Sequence, residues 1–277
     1  LEQGGAPSDR FSAPGELEIE ESGVQDTIRN FGGASFGEQT VLQATASSTN
    51  TVYVQMQEEA GRANVIDAAG RAGMPTDKVY EPFPTERGGG DTMRPFPGLT
   101  LGQDLFSPLE LASAYATYAA EGYHVTPHLV IRVEDADGRT VYEPTVDEDQ
   151  SVDVEVARGV TDGLVGVVTS GSGTAAELGR PTAGKTGTTN DSRDVWFVGY
   201  VPQLATSLWL GNLDNSPIEA DNATGGGMAA PWWQDYMQVA VDGLEVVDFT
   251  PPQDIEPEPV AACPPGYAFA DPPNEAD

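Results

Sequence analysis

"AGKTGTTNDSRDVWFVGYVPQLATSLWLGN", residues 183–212, is the stretch from which the fold is read. Three runs, "AGKTGTT", "DVWFVGYV" and "ATSLWLGN", are separated by Asn190-Asp191-Ser192 and by Pro202-Gln203. Short apolar or β-branched runs with turn residues between them predict three consecutive strands, an antiparallel meander. The first run also holds Lys185. Only Lys78 and Lys185 are lysines among 13 basic residues, which face 44 acidic ones. A chain that nearly abandons lysine keeps one between a glycine and a Thr-Gly-Thr run. An ammonium there can pair with a carboxylate or pass protons, tasks a guanidinium does not perform in the same way.

Helical patterns surround the meander. "AAPWWQDYMQVAVDGL" follows it and puts Trp233, Met237 and Ala240 on one side. "VDVEVARGVTDGLVGVVTSG" precedes it and carries Val156, Val160, Leu164, Val167 and Val168. Further upstream, "HLVIRVEDADGRTVYEP" predicts a hairpin, Leu129–Val133 and Thr140–Tyr142 around an Asp137-Gly138 turn. "SPLELASAYATYAAEG" is the clearest helix: Ser107 as N-cap, Pro108 at the first position, Glu110 completing a capping box and Gly122 ending it. A glycine- and proline-rich connector, "PTDKVYEPFPTERGGGDTMRPFPG", comes before it. Two helical pieces are expected in residues 40–74, one after "SSTN" and one closed by Gly73. Residues 1–40 are polar and glycine-rich and are expected to be loops with one short strand. The opening "LEQGG" reads as the end of a helix with its glycine cap, which suggests a piece of a longer protein.

The expected architecture is α+β, with helices gathered on a mostly antiparallel sheet. Residues 1–245 form the folded domain, and 246–277, rich in proline and acid, form a disordered tail. No run of 18 apolar residues is present, so no membrane-spanning segment is expected. A net charge of -31 argues against nucleic acid and anionic membranes as partners. A solvated acidic face explains it, and so does a protein that works in concentrated salt, where self-repulsion is screened. The single Cys263 excludes an intrachain disulfide and a zinc cluster. No metal or cofactor is expected; His124, His128 and the four tryptophans are expected to serve structure and packing.

Two short motifs carry the chemistry. Ser48-Thr49-Asn50 fits Ser-x-Asn, and Lys185-Thr186-Gly187 is Lys-Thr-Gly, extended by Thr188. Each alone is weak; Ser48 and Asn50 also suit a helix cap, and Lys-Thr-Gly also suits a strand-side turn. Their order and their flanks make the signal specific. "ATASSTNTVYVQM", "LGQDLFSPLELASAYATYAAEGYHVTPHLVIRV", the opening stretch and "TGGGMAAPWWQDYM" together resemble the transpeptidase domain of class A, bifunctional penicillin-binding proteins, over roughly residues 24–240.

That resemblance implies the fold shared by penicillin-binding proteins and serine β-lactamases. It implies a D,D-transpeptidase that cross-links peptidoglycan through an acyl-serine, with D-Ala-D-Ala stem peptides and β-lactams as ligands. By resemblance Lys185 and Ser48 pass a proton towards the leaving amine, and Asn50 holds the substrate amide and the general-base lysine. Thr186 and Thr188 suit a terminal carboxylate, and Gly187 allows close approach of the substrate backbone. The Thr188 N–H is implied as part of an oxyanion hole. The expected location is the extracytoplasmic face of the bacterial plasma membrane, held through an upstream anchor next to a glycosyltransferase domain.

The sequence departs from the family at its nucleophile. The residues three before Lys78 and Lys185 are Pro75 and Thr182, so these 277 residues contain no Ser-x-x-Lys. Truncation upstream of Leu1 is the expected reason, and the chain by itself is expected to be inactive. A serine β-lactamase and a non-catalytic wall-binding module of the same fold remain as alternatives.

Overall fold

The structure is a computed structural model that describes residues 1–21, 24–76, 93, 95–146 and 148–253. It opens with four strands where loops and one strand were expected: β1 (Arg10–Ala13), β2 (Glu16–Glu21), β3 (Val24–Arg29) and β4 (Gly37–Thr40). β1 pairs with β4 and β2 with β3, both antiparallel. Acidic composition hid the period of two. Along β2 the glutamates at 16, 18 and 20 are exposed, while Leu17 and Ile19 alternate with them half-buried. Cross-strand pairs hold the ladder, with Arg29 on Glu16 at 2.9 Å and Thr27 on Glu18 at 3.1 Å.

The helical pieces follow as α1 (Val41–Ser47), α2 (Asn50–Ala60) and α3 (Arg62–Arg71). Thr40 and Gln43 form a reciprocal capping box that starts α1. Gly73, at φ 96°, closes the turn after α3. The glycine-rich connector lies mostly outside the described residues, as does Lys78. α4 (Pro108–Ala119) begins with the expected Ser107–Glu110 capping box.

Four short strands come next: β5 (Tyr123–Val125), β6 (Val133–Glu134), β7 (Thr140–Tyr142) and β8 (Glu148–Gln150). β5 pairs with β8 and β6 with β7. The hairpin forms, but its first strand covers two residues and not the expected Leu129–Val133. Residues 129–132 are exposed and pair with no strand among the described residues. Asp135 makes the turn by accepting the Asp137 and Arg139 N–H groups, each at 2.9 Å.

α5 (Val154–Ser170) leads into β9 (Ala183–Thr188), β10 (Asp194–Val201) and β11 (Leu204–Gly211), the predicted meander, in the order β11-β10-β9. A π-helical turn, Gly225–Ala229, precedes α6 (Ala230–Ala240). Successive residues of β10 point to opposite faces. Val195, Phe197 and Val201 pack with Trp233 and Met237 of α6. Tyr200 packs with Leu164 of α5 and with Tyr115 and Tyr118 of α4. The sheet is thus sandwiched between α6 on one face and α4 with α5 on the other, an α+β layering. The Phe197 and Trp233 rings meet edge to face at 4.9 Å, and the indole N–H donates to the Thr206 carbonyl. Trp196 and Trp209 pair across β10 and β11 at 6.1 Å. Trp232 departs from the expected packing role and is 55% exposed, because its neighbour Trp233 faces the sheet from the same helix.

Residues 246–253, assigned above to the tail, lie on this body. Arg180 and Gln203 hold the Glu245 carbonyl, the Phe249 ring meets Tyr200 edge-on at 5.6 Å, and the Gln253 N–H reaches Glu155. The tail beyond Gln253 lies outside the described residues. His124 sits on β5 and bonds Thr117 at 3.0 Å, while His128 is exposed. Among the described residues no cluster could hold a metal ion and no helix is long and apolar enough to cross a membrane.

Candidate active site

α5 brings the two motifs together. Gly163 and Gly166 expose its backbone to Thr45 and Ala46 of α1, so α1 packs close. Leu164 of the same helix packs with Ala183 at the start of β9. The end of α1 and the strand of Lys185 therefore share one support.

Ser48 caps α1 in the left-handed region, at φ 56° and ψ 52°. For a non-glycine residue that conformation costs about 1–2 kcal/mol. It is held by the Ser48 N–H on the Thr45 carbonyl and the Thr49 N–H on the Ala44 carbonyl. The turn sends three consecutive side chains to three places. Ser48 meets Lys185. Thr49 is buried in a polar triangle, donating to Gln39 at 2.7 Å with Ser47 at 3.0 Å. Asn50 donates its amide nitrogen to the Arg29 carbonyl at 2.8 Å. Asn50 is thereby tied to the end of β3.

Lys185 Nζ donates to Ser48 Oγ at 2.6 Å and to the Thr186 carbonyl at 3.0 Å. Among the described residues no carboxylate forms an ion pair with this ammonium. Desolvation lowers its pKa from the ordinary 10.5 to about 8. An ammonium so poised gives up a proton far more readily than a surface lysine and can exchange one with a hydroxyl in contact.

β9 is the terminal strand of its sheet, so one edge carries no further strand among the described residues. Thr186 and Thr188 share a face of it by the period of two. Thr188 Oγ1 accepts the Gly225 N–H at 2.9 Å, and Thr186 Oγ1 lies 2.7 Å from Ser172 Oγ. Gly187 packs so closely that a Cβ there would sit 3.1 Å from Trp196 Cβ. A Cβ on Gly225 would lie 2.6 Å from the Gly187 carbonyl, so the glycine turn rests directly on the strand. Sequence reasoning missed Thr49, Ser172 and Gly225 as members of this arrangement. The "TGGGM" run was a usable signal, because three glycines before a helix mark a close backbone approach.

The chain matches the family model for the penicillin-binding protein transpeptidase domain over residues 13–238. It is 33% identical over 290 residues to penicillin-binding protein 1A of Mycolicibacterium smegmatis, covering 94% of this chain and 34% of that protein. Penicillin-binding protein 1A of Aquifex aeolicus is 30% identical over 229 residues, covering 82% and 29%. The chain thus spans about a third of the length of the curated relatives it matches. Among solved structures, PonA1 of Mycobacterium tuberculosis in complex with penicillin V superposes with a TM-score of 0.76 at 28% identity, over 95% of this chain and 71% of that one.

Proposed function

This chain belongs to the transpeptidase family of penicillin-binding proteins, and from that membership and the site geometry we propose that it is part of a peptidoglycan D,D-transpeptidase. The observation that carries this is the 2.6 Å contact between Lys185 Nζ and Ser48 Oγ, made between motifs far apart in sequence.

The reaction divides into two halves. A serine in a Ser-x-x-Lys segment, outside these 277 residues, gives its proton to the lysine of that segment, from which Lys185 is later replenished, and attacks the carbonyl of the penultimate D-alanine. The developing oxyanion is met by the Thr188 N–H. The C–N bond breaks, and the leaving D-alanine amine takes its proton from Ser48, which is resupplied by Lys185. An acceptor amine then attacks the acyl-serine; one amine proton passes through the general base to the serine oxygen as its bond to the acyl carbon breaks, giving the cross-linked product and the free serine. Thr186 and Thr188 hold the terminal carboxylate, and the open edge of β9 receives the substrate backbone beside Gly187. Asn50 holds the substrate amide, with its Arg29 tie fixing where the side chain sits. A β-lactam carries a carboxylate and a strained amide in comparable positions and acylates the same serine. The place of work is the extracytoplasmic face of the plasma membrane, with the anchor and the glycosyltransferase domain outside these residues.

Fluorescent penicillin tests the reading. The full-length protein containing these residues becomes covalently labelled, and a Lys185→Met variant loses at least about a hundredfold in labelling rate. The 277-residue chain alone stays unlabelled. A full-length protein that resists labelling would overturn the family function for this chain. Rapid hydrolytic turnover of nitrocefin would make it a β-lactamase instead.

A further inference from the structure

Ser172 belongs to neither motif and yet touches the elements that carry both. Its N–H donates to the Ala46 carbonyl at 2.9 Å, two residues before Ser48. Its hydroxyl lies 2.7 Å from Thr186 Oγ1, beside Lys185. Its carbonyl is pressed against the glycine turn, where a Cβ on Gly226 would come within 2.3 Å. The residue before it is equally confined: a Cβ on Gly171 would sit 2.2 Å from the Ala46 carbonyl. Ser172 has little freedom to place its hydroxyl elsewhere.

Thr188 shows what such a partner does. Its Oγ1 accepts the Gly225 N–H at 2.9 Å. An N–H can only donate, so the Thr188 proton remains available to another acceptor. Thr186, on the same face of β9, has Ser172 in the equivalent place. A hydroxyl owns one proton. If Thr186 gave its proton to Ser172, only lone pairs would face an incoming carboxylate. If Ser172 donates, both threonines turn protons towards it, and the donated bond polarises the second one.

We propose that Ser172 is a positioning residue, whose hydroxyl donates to Thr186 and so commits the Thr186 proton to the terminal carboxylate of the ligand. This rests on the transpeptidase reading, in which Thr186 and Thr188 are the carboxylate site. Ser172 acts through Thr186 and touches no reacting atom.

The experiment compares two probes on the full-length protein: benzylpenicillin, which carries the carboxylate, and its methyl ester, which does not. Acylation rates are measured against probe concentration, separating binding from the acylation step. In S172A the efficiency with the acid falls roughly tenfold, the worth of one hydrogen bond to a charged group. The loss appears as weaker binding, and the ester reacts as with the wild type, so the acid-to-ester ratio drops. S172T, which keeps a hydroxyl, restores the ratio. A mere structural role would slow both probes together and leave the ratio unchanged. An unchanged ratio in S172A, or a ratio in S172T as low as in S172A, overturns the proposal. A wild type acylated by neither probe overturns the transpeptidase reading itself, an outcome distinct from an acylated protein indifferent to Ser172.

Discussion

The meander β9–β11 and the hairpin β6–β7 are both antiparallel, and both grow from apolar sequence. In the meander, Phe197, Tyr200 and the covering Trp233 are fully buried. In the hairpin and its lead, Leu129 is 100% and Ile131 76% exposed. Of these two elements, apolar residues made a core in the one whose two faces helices cover. The hairpin strand stops at two residues on its first arm, while β10 and β11 pair along all eight. Strand length follows cover and pairing more than composition.

The largest expected effect tests that contrast directly. Trp233→Ala removes a buried indole, its contact with Phe197 and its bond to Thr206, and is expected to cost about 3–5 kcal/mol in urea unfolding. Leu129→Ala is expected to stay within about 0.5 kcal/mol. Similar costs for the two would break the comparison.

The next effect is electrostatic and specific to the meander. Lys185 has its pKa lowered by desolvation to about 8, below the 10.5 of an exposed lysine. The unfolded chain therefore binds more protons at that site between those values, and stability rises with pH there. The penalty is fully present below about pH 8 and gone above about 10.5. Its full size is on the order of 3 kcal/mol. Lys185→Met is expected to flatten this rise in a pH series of unfolding midpoints; an undiminished rise would assign it to another group.

A smaller effect separates two glycines. Gly171→Ala drives a Cβ to 2.2 Å from the Ala46 carbonyl, backbone on backbone. About 1–3 kcal/mol of destabilisation is expected. Gly138, in the hairpin turn at φ 76°, has nothing within 4 Å of a Cβ. Its alanine variant bears only the left-handed strain, about 1 kcal/mol. Equal melting temperatures for the two variants would show that the Ala46 contact relaxes freely.

The same contrast explains what could be read beforehand. The meander, α4 with its Ser107 cap, and α5 were legible because period, punctuation and capping chemistry agreed. Of β1 to β4 only one short strand was expected, because glutamates fill the exposed face of β2 and leave only Leu17 and Ile19 to mark it. The beginning of the tail was misjudged because proline-rich composition does not reveal that Phe249 finds Tyr200. For the site, Lys185 and Ser48 were paired from motif order and from the resemblance carried by their flanks. The Asn50 tie to Arg29, the burial of Thr49 and the Ser172–Thr186 contact depend on where distant backbone segments pass. A hydroxyl between glycines carries no local sign of that.

α5 has a consequence for the motions of this molecule. It supports the turn of Ser48 through its glycine face and the strand of Lys185 through Leu164. Neither motif can then loosen without disturbing the helix that seats the other. In hydrogen-exchange terms, amides around Ala46, along the middle of α5 and in β9 belong to one cooperative unit. They are expected to lose protection together, while those of the β6–β7 hairpin exchange early and independently.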